Sequence, residues 1–343
     1  MKKKLAIILS LVLALAVLSG CMGTVVVYND CDCPNEGGNA YVPTEGALKT
    51  GLAIVTGIGE SENAKQAKYD ITVAAVTVDD NGVIQDCIID SVGATIAFDG
   101  KGIITSDLSA EILTKNELGD SYGMKAYGSA KYEWYEQAAA LANYAKGKTV
   151  AELKNGAVGE SGKAVDADLA STATIYLGGY VSAIEQAVGN AQHLGAQSGD
   201  QLKMAVINAA SGADATAEKA GNAQLDCNVA VLTVNNGVIT SCVIDAVQAK
   251  VAFGTDGAIS TDLTAAVQTK NQLGENYGMK AWGSAKYEWN EQAASFAKYV
   301  TGKTAAQVAG IAVSEGKPSD ADLAATVTIA IGGFQALIAK AMQ

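Results

Sequence analysis

The chain has 343 residues, 49% of them hydrophobic and 17% charged, and a net charge of −12. That balance excludes a nucleic-acid binder, which needs clustered cations. The single histidine, His193, leaves no set for Ser–His–acid or Cys–His hydrolysis, and no Cys/His cluster has zinc spacing.

The first twenty residues read as a leader rather than as fold. Lys2-Lys3-Lys4 is a positive start, Leu5 to Leu18 an apolar run, and Leu18-Ser19-Gly20-Cys21 a small-residue processing site. The apolar run is short for a membrane-spanning helix. Leu-Ser-Gly-Cys resembles the lipobox of bacterial lipoproteins. That resemblance implies removal of residues 1–20, acylation of Cys21 and an extracytoplasmic protein held to the cell membrane by lipid. Residues 21–46, rich in Gly, Asn and Pro and containing Cys31 and Cys33, read as a flexible spacer.

The remainder is one unit written twice, as copies 47–191 and 202–343 joined by a linker at 192–201. Asn81 to Thr149 aligns without a gap with Asn236 to Thr304, and roughly three positions in five are identical. A unit of this length is too long for a solenoid repeat and has the size of a domain, so two separately folded tandem domains are expected, with the linker open to proteases.

Each copy opens with a hairpin: Ile71 to Val78 and Val83 to Asp90 around Asn81-Gly82, then Asn228 to Val234 and Val238 to Asp245 around Asn236-Gly237. A further strand is expected at Ala94–Phe98 and Ala249–Phe253, returning through Ile103 or Ile259. Asp107 and Asp262 have the chemistry of helix N-caps. Cys87 and Cys242 occupy matching strand positions and read as small buried hydrophobes. Cys227 and Cys242 flank one hairpin, and whether they bridge depends on its register.

The most faithfully repeated block runs from Thr114 and from Thr269. Its Gly-rich part predicts a long loop, and a helix is expected from Lys131 to near Gly147 and again to near Gly302. Connectors are usually short and tolerant of change, so a kept polar loop invites a ligand. Lys115, Asn116, Tyr122, Met124 and Lys125, with Lys270, Asn271, Tyr277, Met279 and Lys280, are candidate contacts; alternatively the aromatic and apolar members pin the loop to the core. Thr149 and Thr304 begin capping boxes. Asp168 to Ile175, like Asp322 to Ile329, alternates in the manner of a β-strand and leads through Gly178-Gly179 or Gly332-Gly333 into a final helix. The order of strands, helices, strand and helix predicts an α+β fold. A helix start suits a phosphate, and without arginine any phosphate must rest on backbone N–H groups, hydroxyls or lysine.

The succession of pieces resembles the FMN-binding domain of the flavin-carrying subunits of sodium-pumping NADH:quinone reductase and the Rnf complex. The family's loop, roughly E-T-P-G-L-G, is matched by Thr114 to Gly119 through Leu118-Gly119, and Trp134 and Gly147-Lys148 follow. Asp168 to Thr174 stands for its attachment motif D-x-x-[ST]-G-A-[ST], with Thr172 at the Gly position. The second copy keeps Leu273-Gly274, Trp289, Gly302-Lys303, Asp322 and Thr328, with Thr326, Ala325 and Val327 as departures. The resemblance implies two tandem FMN-binding-like units, with Thr174 and Thr328 as acceptors of FMN through a phosphoester made by a flavin transferase. It also implies Ser171, Thr172 and Thr326, with Lys115, Tyr122, Met124, Lys270, Tyr277 and Met279, as flavin contacts. Gly93-Ala94-Thr95 contains a similar tripeptide, but it precedes a strand and is one residue short of the motif.

Two functions are therefore expected to compete. One is a lipid-anchored extracytoplasmic flavoprotein that passes electrons to a membrane or soluble redox partner. The other is a surface lipoprotein on the same fold that has lost flavin and binds another small molecule or partner.

Overall fold

The computed structural model describes residues 46–343. The leader, the lipidation residue Cys21, and the spacer through residue 45 with Cys31 and Cys33 lie outside the described residues.

The fold is mixed α+β, with antiparallel sheets and helices. In the first copy β1 (Lys49–Gly57), β2 (Gln66–Val78) and β3 (Ile84–Ala97) form a sheet in that order. The helices follow: α1 (Lys115–Leu118), a 3₁₀ turn Gly119–Tyr122, α2 (Met124–Gly128), α3 (Trp134–Ala145), α4 (Val150–Ala157), α5 (Ala167–Thr172) and α6 (Gly178–Gly189). The second copy repeats the sheet as β4 (Gln201–Ala213), β5 (Gly221–Asn235) and β6 (Val238–Phe253). It continues with α7 (Lys270–Leu273), a 3₁₀ turn Gly274–Tyr277, α8 (Met279–Gly283), α9 (Trp289–Val300) and α10 (Ala305–Ala309). A small ribbon, β7 (Val313–Ser314) with β8 (Lys317–Pro318), then precedes α11 (Ala321–Ala324) and α12 (Gly332–Ala341).

Both hairpin turns fall at the Asn-Gly pairs. Asn236 and Gly237 take φ of 48° and 79°, the left-handed pair that a two-residue hairpin loop requires. Several sequence expectations are corrected, among them the long loop after Thr114 and Thr269, which is a run of short helical turns. β1 and β4 were not foreseen, because Lys49–Gly57 carries two glycines and no alternation. Gly51 is needed there: a Cβ would stand 2.0 Å from the Ala187 carbonyl oxygen, so α6 lies directly on the strand. Ala94–Phe98 and Ala249–Phe253 are not separate strands but the ends of β3 and β6, since Gly93 stays in the ladder opposite Asp70. Asp107 and Asp262 cap no helix; Asp107 accepts from the backbone N–H and hydroxyl of Ser109, and Asp262 from those of Thr264, closing local turns instead. The alternating stretches after Asp168 and Asp322 open as helical turns, α5 and α11, which end at Thr172 and Ala324; Asp166 and Asp320 start them, their carboxylates accepting from the N–H groups of Leu169 and Leu323 at 2.9 and 3.0 Å.

Period-two alternation sets the layers. Tyr69, Ile71, Val73 and Ala75 of β2 face Leu225, Cys227, Val229 and Val231 of β5 in one central core. The opposite faces carry the helices. Ala74, Val76 and Val78 pack under α3 and α6, and Ala230, Leu232 and Val234 under α9 and α12. The two copies thus meet sheet to sheet, with helices outside.

Their contact is nearly two-fold. Phe98 stacks on Phe253 with ring centroids 4.0 Å apart and planes 8° from parallel. Ala64 N–H donates to Gly257 O while Ala215 N–H donates to Gly102 O, both at 2.8 Å. Ile104 N–H donates to the Asp214 carboxylate and Ile259 N–H to the Asn63 amide oxygen, again both at 2.8 Å. Such reciprocity is that of an isologous dimer interface carried within one chain. Lys340 of α12 pairs with Glu117 of the first copy, adding a tie across the copies.

Each copy's sheet covers the inner face of the other in this one core. The stretch at 192–201 is packed against the first copy. Leu48 and Thr50 N–H groups donate to Ala196 O and Gln192 O at 2.9 Å, and Ala196 is fully buried. Cys87, Cys227 and Cys242 are buried free thiols. Cys227 pairs with Val247 in the ladder and Cys242 with Leu232, so their rungs differ and no bridge forms.

Candidate functional site

The repeated loop is pinned from beneath by a buried aspartate in each copy. Asp90 accepts from Ser91 N–H at 2.7 Å and Asn116 N–H at 3.1 Å; Asp245 accepts from Ala246 and Asn271 N–H at 2.7 and 3.0 Å. Asn116 and Asn271 donate through their side-chain amides to Ile89 O and Ile244 O. Thr114 and Thr269 start capping boxes that close α1 and α7. These contacts explain why the loop is kept without invoking a ligand for Asn116 or Asn271.

Burial pushes both carboxyls up to about 6, and the hydrogen bonds they accept only partly offset it. A raised folded-state value means the folded protein binds the proton more tightly. The stability contributed is complete below about pH 4 and is lost as pH rises through about 6. Stability should therefore increase from pH 7 to pH 5 by roughly 1–1.5 kcal/mol per aspartate, about one pKa unit's worth of differential proton binding. Denaturant titrations at the two pH values check this, and Asp90→Asn should flatten half of the trend. A profile that falls toward pH 5 would contradict it.

Above the anchor, side chains converge on α3. Lys115 Nζ lies 5.2 Å from the ring centres of both Tyr122 and Trp134; Lys270 lies 4.9 Å from those of Tyr277 and Trp289. Trp134 is buried, and its indole N–H donates to the Tyr180 hydroxyl at 2.9 Å in the first turn of α6. In the second copy Trp289 meets Phe334 edge to face instead. Glu133 is 1% exposed and its carboxylate accepts from Met124 and Lys125 N–H at 2.8 and 2.9 Å; Glu288 does the same for Met279 and Lys280.

One turn along α3, the wholly buried Gln137 connects loop and motif. Its Oε1 accepts from Thr174 N–H at 2.8 Å, the Thr174 hydroxyl at 3.2 Å and Ile175 N–H at 3.1 Å. Its amide nitrogen donates to Tyr132 O at 3.0 Å and lies 3.9 Å from Met124 Sδ. Gln292 repeats every contact: Thr328 N–H at 2.8 Å, the Thr328 hydroxyl and Ile329 N–H at 3.2 Å, Tyr287 O at 2.9 Å and Met279 Sδ at 4.0 Å. Thr174 and Thr328 are nevertheless surface residues.

Lys115, Tyr122, Met124 and Thr174 thus gather around α3, as do Lys270, Tyr277, Met279 and Thr328 around α9. Ser171, Thr172 and Thr326 do not join them. Their hydroxyls donate back to carbonyls at Asp168 or Leu169 and at Leu323, as hydroxyls in a helical turn do. Lys125 and Lys280 are engaged by Glu136 and Glu291 at 3.1 Å. Sequence reasoning missed Gln137, Gln292, Glu133, Glu288 and Tyr180. The repeated Glu-Trp-x-Glu-Gln was the available signal, but a polar residue on an amphipathic helix reads as surface.

A phosphate fits the end of this arrangement on two counts. Helix α6 starts without a side-chain cap, and Gly178 and Gly179 are exposed with open space where a Cβ would stand; Gly332 and Gly333 repeat this at α12. First-turn N–H groups there lack intrahelical partners. Thr172 ends α5 as a helical residue and is not among the positive-φ positions, so the family's motif glycine is not required for backbone geometry. Tyr176 beside Thr174 is 69% exposed, and its ring lies 5.4 Å from Lys163 Nζ; Ala330 takes its place in the second copy. A groove of about 460 Å³ lies elsewhere, between Gly93–Ile96, the 106–113 loop, Leu118 and Ala210. Thr95 lines that groove, not the convergence at α3.

Among the described residues no group of His, Cys, Asp or Glu is placed to hold a metal, and no helix is long and apolar enough to cross a membrane. No protein-family profile matches the chain, and no solved structure matches it. The chain is similar over 42 residues, at 52% identity, to the chlorophenol reductase of Desulfitobacterium hafniense, a stretch that covers 12% of this chain and 13% of that protein.

Proposed function

We propose that this chain is a lipid-anchored extracytoplasmic flavoprotein, with two FMN-binding-like units that carry FMN for electron transfer. The observation that carries the reading is the repeated acceptor geometry. In both copies the motif threonine is at the surface, hydrogen-bonded to a buried glutamine and shortly ahead of an uncapped, glycine-opened helix. Bound flavin would supply the redox chemistry. The chain's own part is to present Thr174 and Thr328 for esterification and to offer a phosphate the N–H groups at Gly178–Tyr180 and Gly332–Phe334. Lys115 and Lys270, each held by two aromatic rings, supply the local positive charge that the missing arginines would otherwise give. The partial likeness to a reductase accords with a redox role and assigns no substrate.

The partners on this reading are a flavin transferase, a membrane or extracytoplasmic redox partner, and the bilayer reached through Cys21. The chain should be produced with a flavin transferase, denatured and checked for flavin fluorescence that stays with it. Thr174→Ala and Thr328→Ala should each remove about half of the signal and the double variant all of it, as expected for two independent sites. A wild-type chain that is colourless and also fails to bind added FMN rules the proposal out. The flavin-free binding module would then be preferred, and the groove of about 460 Å³ is the observation that favours it.

A further inference from the structure

We infer that Gln137 and Gln292 are positioning residues for modification of the two threonines, and that Thr328 is as well prepared an acceptor as Thr174. This rests on the flavoprotein reading above. Each glutamine is fully buried on a long helix, and its amide has no conformational choice. Its nitrogen is fixed by a carbonyl, Tyr132 O or Tyr287 O, which only a donor can satisfy. The opposite atom must therefore be the oxygen, and it already receives two backbone N–H groups from the motif.

The consequence falls on the threonine hydroxyl. At 3.2 Å from an acceptor-only oxygen, the hydroxyl must turn its proton inward to the glutamine, leaving its lone pairs toward solvent. The nucleophilic side of the oxygen faces the direction from which a phosphorus atom can arrive. In the transfer, Thr Oγ forms a bond to the phosphorus of a flavin dinucleotide. The phosphoanhydride bond to the nucleoside monophosphate breaks, the hydroxyl proton leaves the glutamine oxygen for water as the newly bonded side chain turns outward, and no redox change occurs. Once esterified, the oxygen has no proton to donate and meets the glutamine oxygen as acceptor against acceptor. The side chain is then driven to rotate outward, while the two backbone N–H bonds keep the motif in place. The same distances recur within 0.1 Å in both copies.

The test follows flavin attachment peptide by peptide, by mass spectrometry of the full described chain incubated with a flavin transferase and flavin dinucleotide. Gln137→Leu should slow attachment at Thr174 by about 10- to 100-fold, the scale for a misplaced reacting group, and leave Thr328 at the wild-type rate. Gln292→Leu should do the reverse. Because both copies share one core, a folding defect would depress both sites together, so the unaltered site is the internal control. Gln137→Glu, protonated in its buried site, restores both the acceptor oxygen and the donor to Tyr132 O, and should recover most of the rate at Thr174. Wild-type rates at Thr174 in folded Gln137→Leu, equal losses at both sites, or failure of Gln137→Glu to recover would overturn the inference. A wild-type chain that takes flavin at neither threonine would instead overturn the flavoprotein reading, and the inference with it.

Discussion

Expressed alone, residues 202–343 are expected not to form a stable monomer. Removing the first copy uncovers the inner face of its sheet, including Leu202, Val206, Leu225, Val229, Val231, Val251 and Phe253, all buried in the whole chain. It also strands Ala215 N–H and Ile259 N–H, whose partners Gly102 O and Asn63 lie in the first copy. Losses of that kind exceed the 5–15 kcal/mol by which domains of this class are usually stable. Circular dichroism and sedimentation of the isolated half would show an unfolded or self-associated species. Mixing it with residues 46–201 should restore one cooperative unfolding transition. A monomeric half that unfolds cooperatively near the midpoint of the intact chain would refute the shared core.

Phe98→Ala is expected to destabilise the chain by about 3–5 kcal/mol, the range for emptying a buried phenyl site. Phe98 is 1% exposed and Phe253 wholly buried, and each ring covers the other at 4.0 Å. Phe253→Ala should cost a similar amount. The double variant should cost less than the sum, because the first truncation already removes the shared stack. Urea titrations of the three variants measure it. Additive losses would mean that the rings are held independently by their own copies. A loss under about 1 kcal/mol would mean that the junction repacks freely, unlike a close-packed core.

Local chemistry made part of this architecture legible in the sequence. Asn236-Gly237 turns its hairpin with both residues in left-handed backbone, and Asn81-Gly82 turns the other with Gly82 alone there. The capping boxes at Thr149 and Thr304 start α4 and α10 because partners three residues apart meet at any helix start. The long helix after Lys131 was foreseen as well, though it begins at Trp134. Tertiary context decided the rest. β1 and β4 have weak patterns of their own and exist because β2 and β5 offer them a ladder. Asp168 to Thr174 alternates like a strand, yet it is helical through Thr172, because Asp166 caps that turn and buried Leu169 and Ala173 anchor it to the core.

The candidate site divides in the same way. The threonines, lysines and aromatics stood out by their repetition, so the sequence by itself determined which residues recur, how far apart, and with what chemistry. It could not show that Gln137 would lose all contact with solvent to hold a threonine 37 positions later. Nor could it show that two apparent domains are halves of one core. Both facts depend on contacts between distant segments, whose free energy comes from mutual burial and leaves no periodicity in either segment alone.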